Sequence, residues 1–152
     1  MKSDKRFTIV LLFIFVIFNL FFFPCTALGP SMYPTIKPEH IYIASRNVSD
    51  IQRGDIVVFK HDGHRLIKRV IALPGESVQF IDKQLYINDS PFSDSFSSTL
   101  DKEINEGILK KKIVLKDNEY VVLGDNREQS EDSRVFGQIK KENIKGKILF
   151  VK

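Results

Sequence analysis

A serine set between two prolines opens the chemistry of this 152-residue chain: Gly29-Pro30-Ser31-Met32-Tyr33-Pro34-Thr35. Proline fixes φ, so the backbone that carries the Ser31 hydroxyl is stiff. A serine hydroxyl is a weak nucleophile until an adjacent base takes its proton. Gly-Pro-Ser is also an ordinary turn, and it acquires meaning only if a base exists. The candidate is Lys68, within Leu66-Ile67-Lys68-Arg69-Val70-Ile71-Ala72-Leu73-Pro74-Gly75-Glu76. On a strand, side chains alternate, and Lys68 would share a face with Leu66, Val70 and Ala72. An ammonium in that apolar row is poorly hydrated, so its pKa falls from about 10.4 toward neutrality. A fall of about 3 pH units costs about 4 kcal/mol, and catalytic sites are where such a cost is kept. The resulting neutral amine can take the place of histidine beside a serine. A lysine at a strand edge that snorkels to water is the plain alternative.

Two further segments bear on the pair. Gly124-Asp125-Asn126-Arg127-Glu128-Gln129-Ser130-Glu131-Asp132-Ser133-Arg134 follows the apolar run Tyr120 to Leu123. Its acidic and basic residues can pair with one another and with Arg69, fixing the loop against the lysine strand. Arg53-Gly54-Asp55 leads into Ile56 to Phe59 and reads as a turn entering a strand, not as an adhesion motif.

The elements that must position these residues are short runs rich in Ile, Val, Phe and Tyr, separated by Gly, Pro, Asn and Asp. Strands are expected at Ile41 to Ala44, Ile56 to Phe59, Leu66 to Leu73, Val78 to Ile81, Leu85 to Ile87, Tyr120 to Leu123 and Ile148 to Val151. Asp82, Lys83 and Gln84 make a tight connection, so the runs on either side of them are expected to pair as a hairpin. Pro91 to Lys112, rich in Ser, Asp and Lys, reads as a polar excursion or small subdomain. His61, Asp62 and His64 surround Gly63 in a hairpin loop and lack the fourth ligand and supporting shell of a metal site. The fold class is mostly β.

Ahead of the serine, Lys2, Lys5 and Arg6 precede Phe7 to Phe23, an uncharged run of roughly 17 residues, or about 26 Å of helix. The uncharged stretch continues through Leu28. With the basic residues on one side only, residues 1–6 are expected in the cytoplasm, 7–28 as a single transmembrane anchor and 29–152 outside. A cleaved export signal is disfavoured by the length of the run and by Pro24 and Cys25 where small cleavage-site residues should stand. Cys25 is the only cysteine, so no internal disulfide forms, and an inert thiol is expected there. The formal net charge is +4, half of it on four residues before the apolar run, which gives no footing for nucleic-acid binding. No cofactor or metal is called for, and a monomer is expected.

Together and in this order, the four segments resemble the conserved boxes of type I signal peptidases, across most of the chain. The resemblance implies a β-sheet or barrel catalytic domain behind one N-terminal transmembrane helix. It makes Ser31 the nucleophile, Lys68 the general base, and Ser130 the hydroxyl that orients the lysine. It also makes Asp125, Asp132, Arg134 and Arg69 supporting salt bridges. Lysine at the base position points to the bacterial and organellar branch. Some members use a serine hydroxyl two positions before the nucleophile as an oxyanion donor; this chain has Gly29 there. Pro30 has no N–H, so the Ser31 amide is the main donor, with Gly29 beside it and the second donor open. Members cleave exported preproteins after small residues, which implies shallow apolar pockets, with Met32, Tyr33 and Ile67 as candidates to line them. They also bury an apolar surface in the lipid bilayer, which puts the protein in the cell membrane.

A peptidase dedicated to a pilus or conjugation system would use the same dyad. A non-catalytic assembly factor on the same fold has no need of both Ser31 and Lys68. A self-cleaving repressor needs a DNA-binding domain where this chain has Phe7 to Phe23.

Overall fold

A computed structural model describes residues 5–93, 95–96 and 106–149. Its first element is helix α1, Lys5–Phe21, in which no side chain is buried. The helix ends there because Pro24 lacks an N–H and its ring would clash with the carbonyl four residues back. The chain continues as strand β1, Phe22–Thr26, paired antiparallel with β2, Ile41–Ser45. The sequence-based anchor over 7–28 is therefore too long: residues 22–26 belong to the sheet, and Phe23 and Ala27 to its core. Among the described residues no helix is long and apolar enough to cross a membrane. Residues 1–4 of the expected cytoplasmic segment lie outside the described residues.

Two antiparallel sheets follow. The larger adds β3 (Ile56–His61), β4 (His64–Ala72), β9 (Glu119–Leu123), β10 (Ile139–Lys140) and β11 (Ile144–Ile148), in the order β1-β2-β11-β3-β4-β9-β10. The smaller consists of β5 (Ser77–Ile81), β6 (Gln84–Ile87), β7 (Ser90–Pro91) and β8 (Ile113–Val114), in the order β7-β6-β5-β8. Pro24 sits in the outermost strand, where a missing backbone donor is tolerated. The β5–β6 hairpin turns on Asp82 and Lys83, both with positive φ, while Gln84 already belongs to β6.

The final strand begins earlier than its apolar run suggests. Ile144 and Ile148 are buried, and Gly146 lets the Phe23 ring and the Ser45 carbonyl approach where a Cβ would clash. Residues 150–152, expected to end that strand, lie outside the described residues, as do 97–105 of the expected polar excursion. The described part of the excursion is not merely solvated: Leu109 is fully buried, and Phe92 and Phe96 pack against the core that joins the two sheets.

Lys68 stands opposite Val57 on β4. Leu66 and Val70 pack into one core cluster, as expected for one face, but Ala72 joins a different one. A bulge between Val70 and Ala72 inserts a residue against β9 and breaks the alternation.

Candidate active site

Ser31 lies in a short 3-10 turn, Pro30–Met32, with proline at its start. Proline's fixed φ suits a first helical position. Tyr33 N–H closes the turn on the Pro30 carbonyl at 2.9 Å, and fully buried Met32 and Ile36 anchor it beneath. The loop after β9 holds it from above. Asn126 donates its backbone N–H to the Ser31 carbonyl at 3.0 Å and its side-chain amide to the Pro30 carbonyl at 3.3 Å.

Lys68 Nζ donates to Ser31 Oγ at 2.7 Å. The lysine is only 4% exposed. Burial lowers its pKa from 10.5 to about 8, against the charges of Asp132 and Glu131, which favour the ammonium, while Arg134 adds to the lowering. About a tenth of the amine is therefore unprotonated at pH 7, rising to about half near pH 8, and it sits within reach of the serine proton.

Two buried ion pairs fix the loop. Arg69 grips Asp125 with two hydrogen bonds, at 2.8 and 2.6 Å, and also donates to the Gly54 carbonyl at 2.7 Å, with its guanidinium under the Phe96 ring. Arg134 grips Asp132 twice at 2.8 Å and reaches the Arg127 carbonyl at 2.8 Å. Asp132 caps the short helix α2, Ser133–Phe136, and accepts the Gly124 N–H at 3.0 Å. Burial pushes the Asp132 carboxyl up, but its bonds to Arg134 and Gly124 outweigh that and hold it below its ordinary value. Arg53 and Asp55 of the Arg-Gly-Asp tripeptide pair with Glu76 and Lys147, so that segment is structural.

Ser130, expected to orient the lysine, makes no hydrogen bond to it. Its Oγ is buried against Gly124 and meets no partner at full hydrogen-bonding geometry. It lies close enough to Asp132 to favour that carboxylate's charged form.

A cleft of about 810 Å³ opens beside the dyad. One wall is the stretch from Pro24 to Ser31, and the other is His64 to Lys68 of β4, with Ile41, Val58, Gln129 and Glu131 completing the lining. Of the expected pocket residues, Ile67 is in these walls, as is Gly29, which was expected at the oxyanion site. Met32 is in the core and Tyr33 points elsewhere. Cys25 lines the cleft, half-buried; burial raises its thiol pKa and favours the protonated form, against the opposing charge of Arg65.

Sequence reasoning missed the role of Asn126 and the cleft wall from Pro24 to Leu28. An asparagine directly after a buried strand and an acidic anchor was the available signal for the first. The second was hidden because a membrane anchor and a greasy cleft have the same composition.

A desolvated amine against a hydroxyl on a stiff turn, carried by an antiparallel β fold, defines a serine hydrolase of the serine–lysine kind. Comparison with known proteins narrows the class. The chain belongs to the family described as signal peptidase, peptidase S26, whose model matches residues 2–152. It is 32% identical to signal peptidase I S of Bacillus subtilis (strain 168), across 97% of this chain and 85% of that one. It is 33% identical to signal peptidase IB of Staphylococcus aureus (strain COL), across 90% and 81%. The crystal structure of a signal peptidase I from Enterococcus faecalis V583 superposes with a TM-score of 0.56 at 33% identity, covering 68% of this chain and 100% of that one.

Proposed function

We propose that this chain is a membrane-attached serine endopeptidase that removes signal peptides from exported preproteins, with Ser31 as nucleophile and Lys68 as general base. The 2.7 Å contact between Lys68 Nζ and Ser31 Oγ, on a lysine of lowered pKa, carries the reading.

The neutral amine takes the Ser31 proton as Oγ attacks the scissile carbonyl. The resulting oxyanion is met by the Ser31 N–H, which makes no intramolecular hydrogen bond among the described residues, with Gly29 alongside in the cleft wall. Lys68 then returns the proton to the leaving amine, and an acyl-enzyme remains on Oγ. Water, deprotonated by the same amine, cleaves the ester and restores Ser31. Ser130 acts on the lysine only indirectly, through Asp132, whose charged form it favours and whose charge favours the ammonium.

Recognition follows from strand edges. β9 pairs with β4 only from Arg69 onward, and β1 is the outermost strand. Both walls of the cleft therefore keep open backbone groups against which an extended peptide can pair. The lining of Pro24, Ala27, Leu28, Ile41, Val58 and Ile67 suits small apolar side chains.

Membrane attachment is supported by α1, whose apolar side chains are exposed along its length and follow Lys5 and Arg6. Leu28 and Ile41, 93% and 73% exposed, stand beside the cleft and extend that apolar surface to its mouth. Lys5 and Arg6 ahead of α1 support a cytoplasmic N-terminus and with it an extracytoplasmic catalytic domain, on the side where exported preproteins emerge.

The test is cleavage of a preprotein by the detergent-solubilised protein, beside Ser31→Ala and Lys68→Ala. Only the parent should cleave. Undiminished cleavage by Ser31→Ala would remove the nucleophile, and a folded parent inert on every preprotein tried would remove the function.

A further inference from the structure

The cleft is apolar along most of its length but charged at both ends. Glu131 stands at the dyad end, where its charge acts on Lys68. Arg65 stands at the other end beside His64, where its charge acts on the Cys25 thiol of the facing wall. Along β4, Arg65 and Lys68 are three residues apart, roughly 10 Å at about 3.3 Å per residue.

These two charges differ from their neighbours. Asp125, Asp132, Arg69 and Arg134 are buried and bound into pairs. Glu131 and Arg65 are exposed, and neither forms an ion pair or hydrogen bond among the described residues. An exposed glutamate is ordinarily a solvated surface group with no task. Glu131 is set apart by its place, in the wall of the groove that a substrate fills, next to the reacting atoms. A peptide lying there displaces water from between its own side chains and these two charges, which strengthens attraction and repulsion alike.

We propose that Glu131 and Arg65 are specificity-determining residues that give the cleft an electrostatic polarity. Glu131 favours substrates with a basic side chain close to the scissile bond and disfavours acidic ones there. Arg65 does the reverse at a position several residues away. The inference rests on the cleft's being the substrate groove and deepens that reading.

The test is a set of peptides built on one neutral cleavable sequence, with Lys or Glu placed singly at each of the positions flanking the cleaved bond. The ratio of kcat/KM for the Lys and Glu members is measured at fixed pH. A change in Lys68 protonation affects both members equally and cancels. At a position next to the bond the parent should prefer Lys by about two- to fivefold, the size of an exposed ion pair. Glu131→Gln should abolish the preference and Glu131→Lys reverse it. At a more distant position the parent should prefer Glu, and Arg65→Glu should reverse that preference alone. Both preferences should shrink at about 1 M salt, where the screening length falls to about 3 Å. Ratios of one throughout the parent series, or ratios left unchanged by both reversals, would overturn the proposal. A parent that fails on the neutral peptide would instead count against the peptidase reading.

Discussion

The backbone N–H of Asn126 donates to the carbonyl of Ser31 at 3.0 Å, tying the loop after β9 to the turn that carries the hydroxyl. One residue earlier, Asp125 is gripped by Arg69, the neighbour of Lys68 on β4. Hydroxyl and amine are thus referred to a single loop, although they arrive on segments far apart in the chain.

Asn126→Ala removes the side-chain bond to Pro30 and leaves the backbone bond in place. The loss should be modest in stability, about 1 kcal/mol, and larger in turnover, about tenfold in kcat with a smaller change in KM. Steady-state kinetics beside thermal melting separates the two.

Gly124→Ala should be far more damaging than its size suggests. A Cβ there would run into Ser130 and the Ser31 carbonyl, while Asp132 holds the Gly124 N–H and prevents the strand end from backing away. Cleavage should fall by at least about a hundredfold, since misplacement of about 1 Å has that effect. Near-parental activity would mean that this contact is slack.

Cleavage should rise with pH through about 8 as Lys68 loses its proton, and level off above. Stability follows the same group. Below about pH 8 the folded and unfolded chains both hold the proton, and the burial penalty is present in full. Between about 8 and 10.5 the unfolded chain holds more protons, so stability rises with pH across that window. The total is about 3 kcal/mol. Lys68→Met should be inactive, more stable than the parent at pH 7, and free of this rise when unfolding is followed by denaturant titration.

Asp132 works in the opposite direction. Its carboxyl is held below the ordinary value of 3.8, so its contribution is complete above that pH and is lost as pH falls below it. Asp132→Ala leaves Arg134 buried without that carboxylate and the Gly124 N–H without its acceptor, at a cost of about 3–5 kcal/mol. Its melting temperature should lie well below the parent's at pH 7, and the gap should narrow in acid.

Gly29→Ser tests the oxyanion site. A Cβ at Gly29 meets nothing within 4 Å, and its φ of −130° suits any residue. The fold should be unchanged, and a hydroxyl that reaches the oxyanion should raise kcat by about tenfold.

Much of this was legible in the residues. β2, β3, β5, β6 and β9 stand where their β-branched and aromatic runs end at turn formers, because those runs are bounded by residues that suit only turns. Ser31 and Lys68 were legible only through the joint occurrence of the four segments, since a serine between prolines and a lysine in an apolar row are each ordinary on their own. The apolar stretch after Phe21 was misread because hydrophobicity records only a preference for leaving water, which a bilayer and a sheet edge both satisfy. Pro24 marked the change.

The sequence by itself determined the class of fold, the two side chains proposed to react and the charged loop that frames them, since each is written in residue type and short-range spacing. Only the tertiary structure decided that Asn126 holds the nucleophile turn, that Met32 goes to the core and Ile67 to the cleft, and that Glu131 and Arg65 stand at opposite ends of one groove. Those relations depend on strand order, on the bulge after Val70 and on where β9 stops pairing with β4. They arise from contacts between segments distant in the chain, which no local pattern of residues encodes.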